Sequence, residues 1–240
     1  MNYIKMSKRH FLIWMLILAV VMILTIPYAW YLLKVIFAGG NILHQLEIFK
    51  WVVIGFVAFA ILRRYIKGNL EFAETFSHEL THTIFAFLFN LQVVEFHANQ
   101  GTGYMMATQR NVYKGVPISL APYCFPLFTF ILLSFRWMMN FHGVWIFDMI
   151  IGCTLCFHFY CFKTQIGNHQ TDINQYPLLL SYSYILTSWL LVFCIVIPAF
   201  FPNMNGHGTA EPIYNYGVFS SIWRLLESWW DYLTSFLQIL

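Results

Sequence analysis

Long apolar runs, each closed by a short polar or basic stretch, set the pattern of this chain. They fall at residues 11–33, 48–62, 71–93, 117–139, 143–162 and 177–201. A helix needs about 20 apolar residues to cross a bilayer, so the pattern predicts about six transmembrane helices, the second of them short. Pro27 is placed to kink the first. Between the third and fourth runs the character changes. Val94, Phe96, Gly101, Thr102, Gly103, Tyr104 and Met106 form an extended, turn-containing order that predicts a β-hairpin over residues 93–106. That stretch is too polar to face lipid, so it enters the membrane as a re-entrant element only where protein or a water-filled cavity surrounds it. Over residues 218–240, polar positions such as Arg224, Glu227, Asp231 and Gln238 recur every three to four residues among Trp, Leu, Ile and Phe. This is the pattern of an amphipathic helix that lies on the membrane or packs against the bundle. The expected architecture is an all-α polytopic membrane protein with a small re-entrant hairpin, in a single domain over residues 1–240. Two additional N-terminal spans occupy 1–70, a core 71–201, and a loop with the amphipathic C-terminal helix 202–240.

Composition agrees with that architecture. Of 240 residues, 60% are hydrophobic, 20% aromatic and only 10% charged, outside the range of soluble domains. The net charge of +3 is not gathered into a basic patch interleaved with aromatics, so the bilayer is an expected partner and nucleic acid is not. Its distribution orients the chain. Lys5, Lys8 and Arg9, then Arg63, Arg64 and Lys67, place the N-terminus and the start of the third run in the cytoplasm. If the hairpin returns the chain to that side, Arg110, Lys114 and Lys163 are cytoplasmic too, and Lys34, Lys50 and Arg136 lie outside. The first run is too long for a signal peptide and lacks a small-residue cleavage site, so it reads as a retained anchor. All five cysteines fall in apolar runs, and the Cys153/Cys156 pair has no second such pair to complete a zinc site. They read as buried small hydrophobes without disulfides.

The third run carries His78-Glu79-Leu80-Thr81-His82. On a helix, residues four apart share a face one turn apart, so both imidazoles can reach one metal ion. Glu79 lies about 100° round the helix, within reach of a proton on a water activated there. His-Glu-x-x-His is the metalloprotease arrangement. Two merely hydrogen-bonded histidines near a membrane surface are the alternative, but ionisable residues inside a bilayer are costly and usually functional. A catalytic zinc site normally takes three protein ligands. Asp172, at the mouth of the sixth run, can turn inward as the third or can cap that helix. His169 is the alternative ligand. Asp148, the acid of the fifth run, reads as paired with a polar neighbour. His158, about 280° round that helix from it, reads as a hydrogen-bonded core histidine. Asn90, His97, Asn168 and Gln170 are candidates for steadying a substrate backbone or an oxyanion.

With these residues in view the chain resembles the site-2 protease family of intramembrane zinc metalloproteases. The likeness covers roughly residues 71–201. It rests on His78-Glu79-Leu80-Thr81-His82, on the extended Gln92-Val93-Val94-Glu95-Phe96 segment after it, and on an Asp opening a later span. It implies a three-helix core with Zn2+ held by two histidines of one helix and an Asp of another, here His78, His82 and Asp172. It also implies Glu79 as general base, a hairpin edge that holds the substrate as an added strand, and a transmembrane protein as that substrate, in a bacterial cytoplasmic membrane. Ser119-Leu120-Ala121-Pro122-Tyr123 resembles what divergent bacterial members place at the start of the next helix. The departures are Thr81 and Asn90 where Gly is usual, and Gln170-Thr171-Asp172-Ile173 in place of the frequent Asn-x-x-Pro-x-Pro-x-Leu-Asp-Gly stretch. The expected function is zinc-dependent cleavage of transmembrane segments. The alternative is a non-enzymatic scaffold of the same fold or a metal transporter, and transport predicts further ionisable residues along a path, with Asp148 and His158 the main candidates.

Overall fold

The computed structural model describes residues 6–38, 42–108, 111–138, 144–167 and 170–200. Asn168, His169, Arg110 and the amphipathic run after residue 201 lie outside the described residues. Within them the chain is mostly helical, with one two-stranded antiparallel hairpin. In chain order it forms α1 (Lys8–Ala38), α2 (Ile42–Leu62), α3 (Lys67–Leu88), β1 (Val93–Asn99), β2 (Thr102–Ala107) and α4 (Val112–Leu120) with a 3-10 turn at Ala121–Tyr123. Then follow α5 (Leu127–Met138), α6 (Val144–Gln165), the single-turn α7 (Thr171–Asn174) and α8 (Leu178–Val196), closed by a 3-10 turn at Pro198–Phe200.

Among the described residues, three stretches are long and apolar enough to cross a membrane: Lys8–Lys34, Val144–Gln165 and Leu178–Phe200. A fourth arises if the bent pair Val112–Tyr123 and Leu127–Arg136 is taken as one crossing. This is fewer than the six that the apolar runs predict. The α2 segment Phe49–Leu62 is apolar but short, and α3 carries Lys67, Glu71, Glu74 and Glu79 along its length. The fourth predicted run, residues 117–139, is not one straight helix but two, set at 82° to each other. Pro122 and Pro126 explain the break. Neither has an N–H to give to the carbonyl four residues earlier, so the helical ladder loses two rungs one turn apart.

Helix packing follows from residue size. The backbones of α2 and α6 touch, since a Cβ on Gly55 would collide with the Met149 carbonyl and one on Gly152 with the Val52 carbonyl. Small residues at a helix crossing allow this close approach. Tyr28, Ala29 and Leu32 of α1 pack with Cys194 of α8. A central core joins Leu18, Val116, Leu120 and Tyr123 to Ile173 and Leu180. Asp148 is paired as expected, its Oδ1 taking a 2.6 Å bond from Arg136 Nε, while Arg136 Nη1 donates to the Ala199 carbonyl at 2.8 Å. All five cysteines are free thiols.

The hairpin is in the expected place, with Asn99 opposite Thr102 at its tip and a bulge between Val93 and Glu95. Gly101, at φ 71°, takes the left-handed position of the two-residue loop. Met105 anchors the hairpin in a core with Ala86, Leu91 and Ile118, and Phe96 meets the Phe76 ring at 6.0 Å.

Candidate metal centre

Both histidines of the motif are held by the same device. His78 Nδ1 donates to Gln165 Oε1 at 2.8 Å, at the end of α6, and His82 Nδ1 donates to the Ile118 carbonyl at 2.7 Å. That carbonyl is free to accept because the residue four places on, Pro122, has no N–H. An imidazole that spends its Nδ1 proton this way presents a bare Nε2 lone pair, which is how metal-binding histidines are usually oriented.

Both Nε2 atoms face one carboxylate oxygen. Asp172 Oδ2 lies 3.4 Å from His78 Nε2 and 3.2 Å from His82 Nε2. The three candidate ligand atoms all fall within 4.8 Å of one another. Two ligand atoms at 2.0–2.1 Å from a tetrahedral zinc stand about 3.3 Å apart, so these separations fit a zinc ion. The competing arrangement, two imidazoliums sharing a carboxylate, sets two positive rings 4.7 Å apart. At an effective dielectric of 20 that repulsion is roughly 3.5 kcal/mol. Three converging lone pairs are better satisfied by one cation.

Asp172 reaches this position through its neighbour. Ile173 is fully buried among α4 and α8 side chains. Its carbonyl accepts from Ser181 Oγ at 2.9 Å, and Gln175 Oε1 accepts from Ser119 Oγ at 3.1 Å. With Ile173 pointing into the core, Asp172 turns about 100° away from it, toward α3. Asp172 does not cap the sixth apolar run, because α8 begins at Leu178 with Pro177 before it and no side-chain cap.

Glu79 is buried and lines one cavity of about 310 Å3 with His78, Asp172, Gln165 and Gln170. The hairpin forms the opposite wall through Gly101 and Gly103. A Cβ on Gly103 would come within 2.8 Å of Glu79 Cγ and 3.0 Å of its Oε1, so only glycine lets β2 pass this close. The Tyr123 ring meets His78 edge-on at 5.3 Å, and its buried hydroxyl has no hydrogen-bond partner among the described residues.

Other candidates stand elsewhere. Asn90 is exposed, with φ 54°, just past the end of α3. Its N–H bonds Phe87 O and that of Leu91 bonds Ala86 O, both at 2.9 Å, which makes it the left-handed residue of a Schellman motif. This conformation explains why Asn stands where Gly is common. His97 stacks on Tyr104 across the hairpin at 5.4 Å, away from the cavity. His158 is buried against Trp189 at 5.2 Å, and its Nε2 lacks the expected hydrogen bond among the described residues. Gln165 and the Ile118 carbonyl are the contacts that motif reading does not supply. Pro122 is the one sequence signal for the second of them. No family model, curated protein or solved structure matches the chain.

Proposed function

We propose that the chain is a zinc-dependent intramembrane endopeptidase that cleaves transmembrane segments of membrane proteins. The observation that carries this reading is the convergence of His78, His82 and Asp172 at the edge of the cavity that Glu79 lines together with His78 and Asp172. The chemistry zinc supplies when bound is Lewis acidity, which brings the pKa of a water down toward about 7 and polarises a carbonyl. Glu79 then acts as general base, and its burial beside Gly103 fixes the carboxylate at the cavity wall. Gln165 and the Ile118 carbonyl hold the imidazoles in the tautomer that leaves Nε2 bare.

A helical substrate hides its carbonyls in i to i−4 bonds and must be unwound before attack. Gly103 of β2 lines the cavity, so a substrate added along that strand's edge lies beside Glu79. In this reading the chain crosses a bacterial cytoplasmic membrane six times from a cytoplasmic N-terminus, and the hairpin re-enters from the cytoplasmic side. Transport is the weaker reading, since Asp148 is already paired with Arg136.

The test is cleavage of a reconstituted transmembrane reporter together with bound-metal analysis. Glu79→Gln is expected to keep its zinc and lose cleavage by roughly 100-fold or more. Equal cleavage by the variant and the parent removes Glu79 as base. Metal flux without cleavage replaces the protease reading with transport.

A further inference from the structure

A second cavity, of about 410 Å3, lies against the face of α3 turned away from His78. Its walls are Phe59 of α2, Leu70, Ala73 and Phe76 of α3, Phe128 of α5 and Phe157 of α6. The polar side chains on the α6 wall already have partners. Cys153 Sγ donates to the Gly55 carbonyl at 3.2 Å, and Thr154 Oγ1 shares a 3.0 Å bond with Thr129 Oγ1. The groove therefore presents an apolar surface, and the half-exposed Phe72 ring stands at its rim.

One end of the groove is basic. The Arg63 N–H bonds the Phe59 carbonyl at 2.9 Å, which places Arg63 one turn beyond a wall residue on the same face. Its guanidinium sits 4.9 Å from the centre of the Tyr160 ring, and Tyr160 is one turn beyond Phe157 on α6. Arg64 follows and is exposed, and neither arginine is in an ion pair with another described residue. A helix with its side chains is about 10 Å across, so a cavity of 410 Å3 accepts only about one turn of one. An extended acyl chain is far thinner and runs further along the same volume.

We propose that this groove binds an anionic phospholipid, with an acyl chain between α3 and α6 and the phosphate at Arg63 and Arg64. The apolar channel satisfies the chain, and the two guanidiniums at its end satisfy the headgroup, since Arg63 Nε gives one bond to the Ala60 carbonyl at 3.3 Å and its charge has no ion-pair partner among the described residues. This inference is independent of the protease reading, since it uses no residue of the metal cavity.

The experiment is native mass spectrometry of the full chain in detergent, mixed with equal amounts of phosphatidylglycerol and phosphatidylcholine of identical acyl chains. The parent is expected to retain one phosphatidylglycerol roughly 10-fold in preference to phosphatidylcholine. Arg63→Gln with Arg64→Gln removes that preference. Ala73→Trp, which fills the groove, reduces retention of both lipids. Equal retention of the two lipids by the parent overturns the proposal, and so does a phosphatidylglycerol preference that survives the double arginine variant. Displacement of the lipid by an added hydrophobic helical peptide assigns the groove to protein instead and also overturns it.

Discussion

A proline four residues after Ile118 decides where the His82 imidazole can bond. In an uninterrupted helix the Ile118 carbonyl would take the N–H of residue 122, and His82 Nδ1 would have to find another acceptor. Pro122→Ala restores that N–H. The two donors then compete for one carbonyl, and the orientation of His82 loosens while α3 itself is untouched. Losing an orienting contact of this kind costs about 10- to 100-fold in metal affinity, so zinc titration of the purified variant should show a weakening in that range. An unchanged affinity would show that the 2.7 Å contact does not orient the ring. At this scale the sequence was informative where chemistry is local. His78, Glu79 and His82 lie within five residues, whereas Asn90, expected to steady a substrate, serves as a helix-end residue with φ 54° instead. Gln165 was illegible, because a polar residue ending an apolar helix is ordinary and its contact with His78 spans 87 positions.

Short elements carry the site, and each is held by something outside itself. The single turn α7 is too short to persist alone, since helix nucleation is unfavourable. Ile173 supplies its anchor. Ile173→Ala is expected to cost about 2–5 kcal/mol of stability, measured by denaturant titration, and to weaken zinc binding through the Asp172 beside it. Loss of stability with metal affinity intact would mean that Asp172 is placed by other contacts. The hairpin makes the complementary case. Its existence was legible from Gly101 and the extended residues around it, but its closeness to Glu79 was not, because a glycine in a strand pattern does not say what it lies against. Gly103→Val would push β2 off α3 or displace the Glu79 side chain. The expected result is a cleavage rate lowered by about 100-fold with zinc retained, and parental activity in that variant would separate the hairpin from the catalytic wall. The α4–α5 break was written in the sequence as Pro122 and Pro126. Apolarity running unbroken through both prolines pointed to a single span instead.

Across the whole molecule, the three candidate ligand residues come from two distant points of the chain. His78 and Asp172 are 94 positions apart, in α3 and α7. In the proposed function a metal ion at that point binds only the folded state, so it would stabilise the molecule by mass action. The gain reaches about 4 kcal/mol when free metal is 1,000 times its dissociation constant. A chelator should therefore lower the unfolding temperature of the parent, and added zinc should restore it. Asp172→Ala should begin at the lower temperature and respond to neither. Glu79→Gln should behave like the parent, because Glu79 lines the cavity without joining the cluster. This last comparison separates binding from catalysis. If the chelator leaves the parent's unfolding unchanged, the cluster is a hydrogen-bonded polar knot between α3 and α7, and the enzymatic reading loses its foundation. If Glu79→Gln loses the response along with Asp172→Ala, the carboxylate belongs to the coordination sphere, and the general base must be sought at Glu71 or Glu74, which line the same cavity.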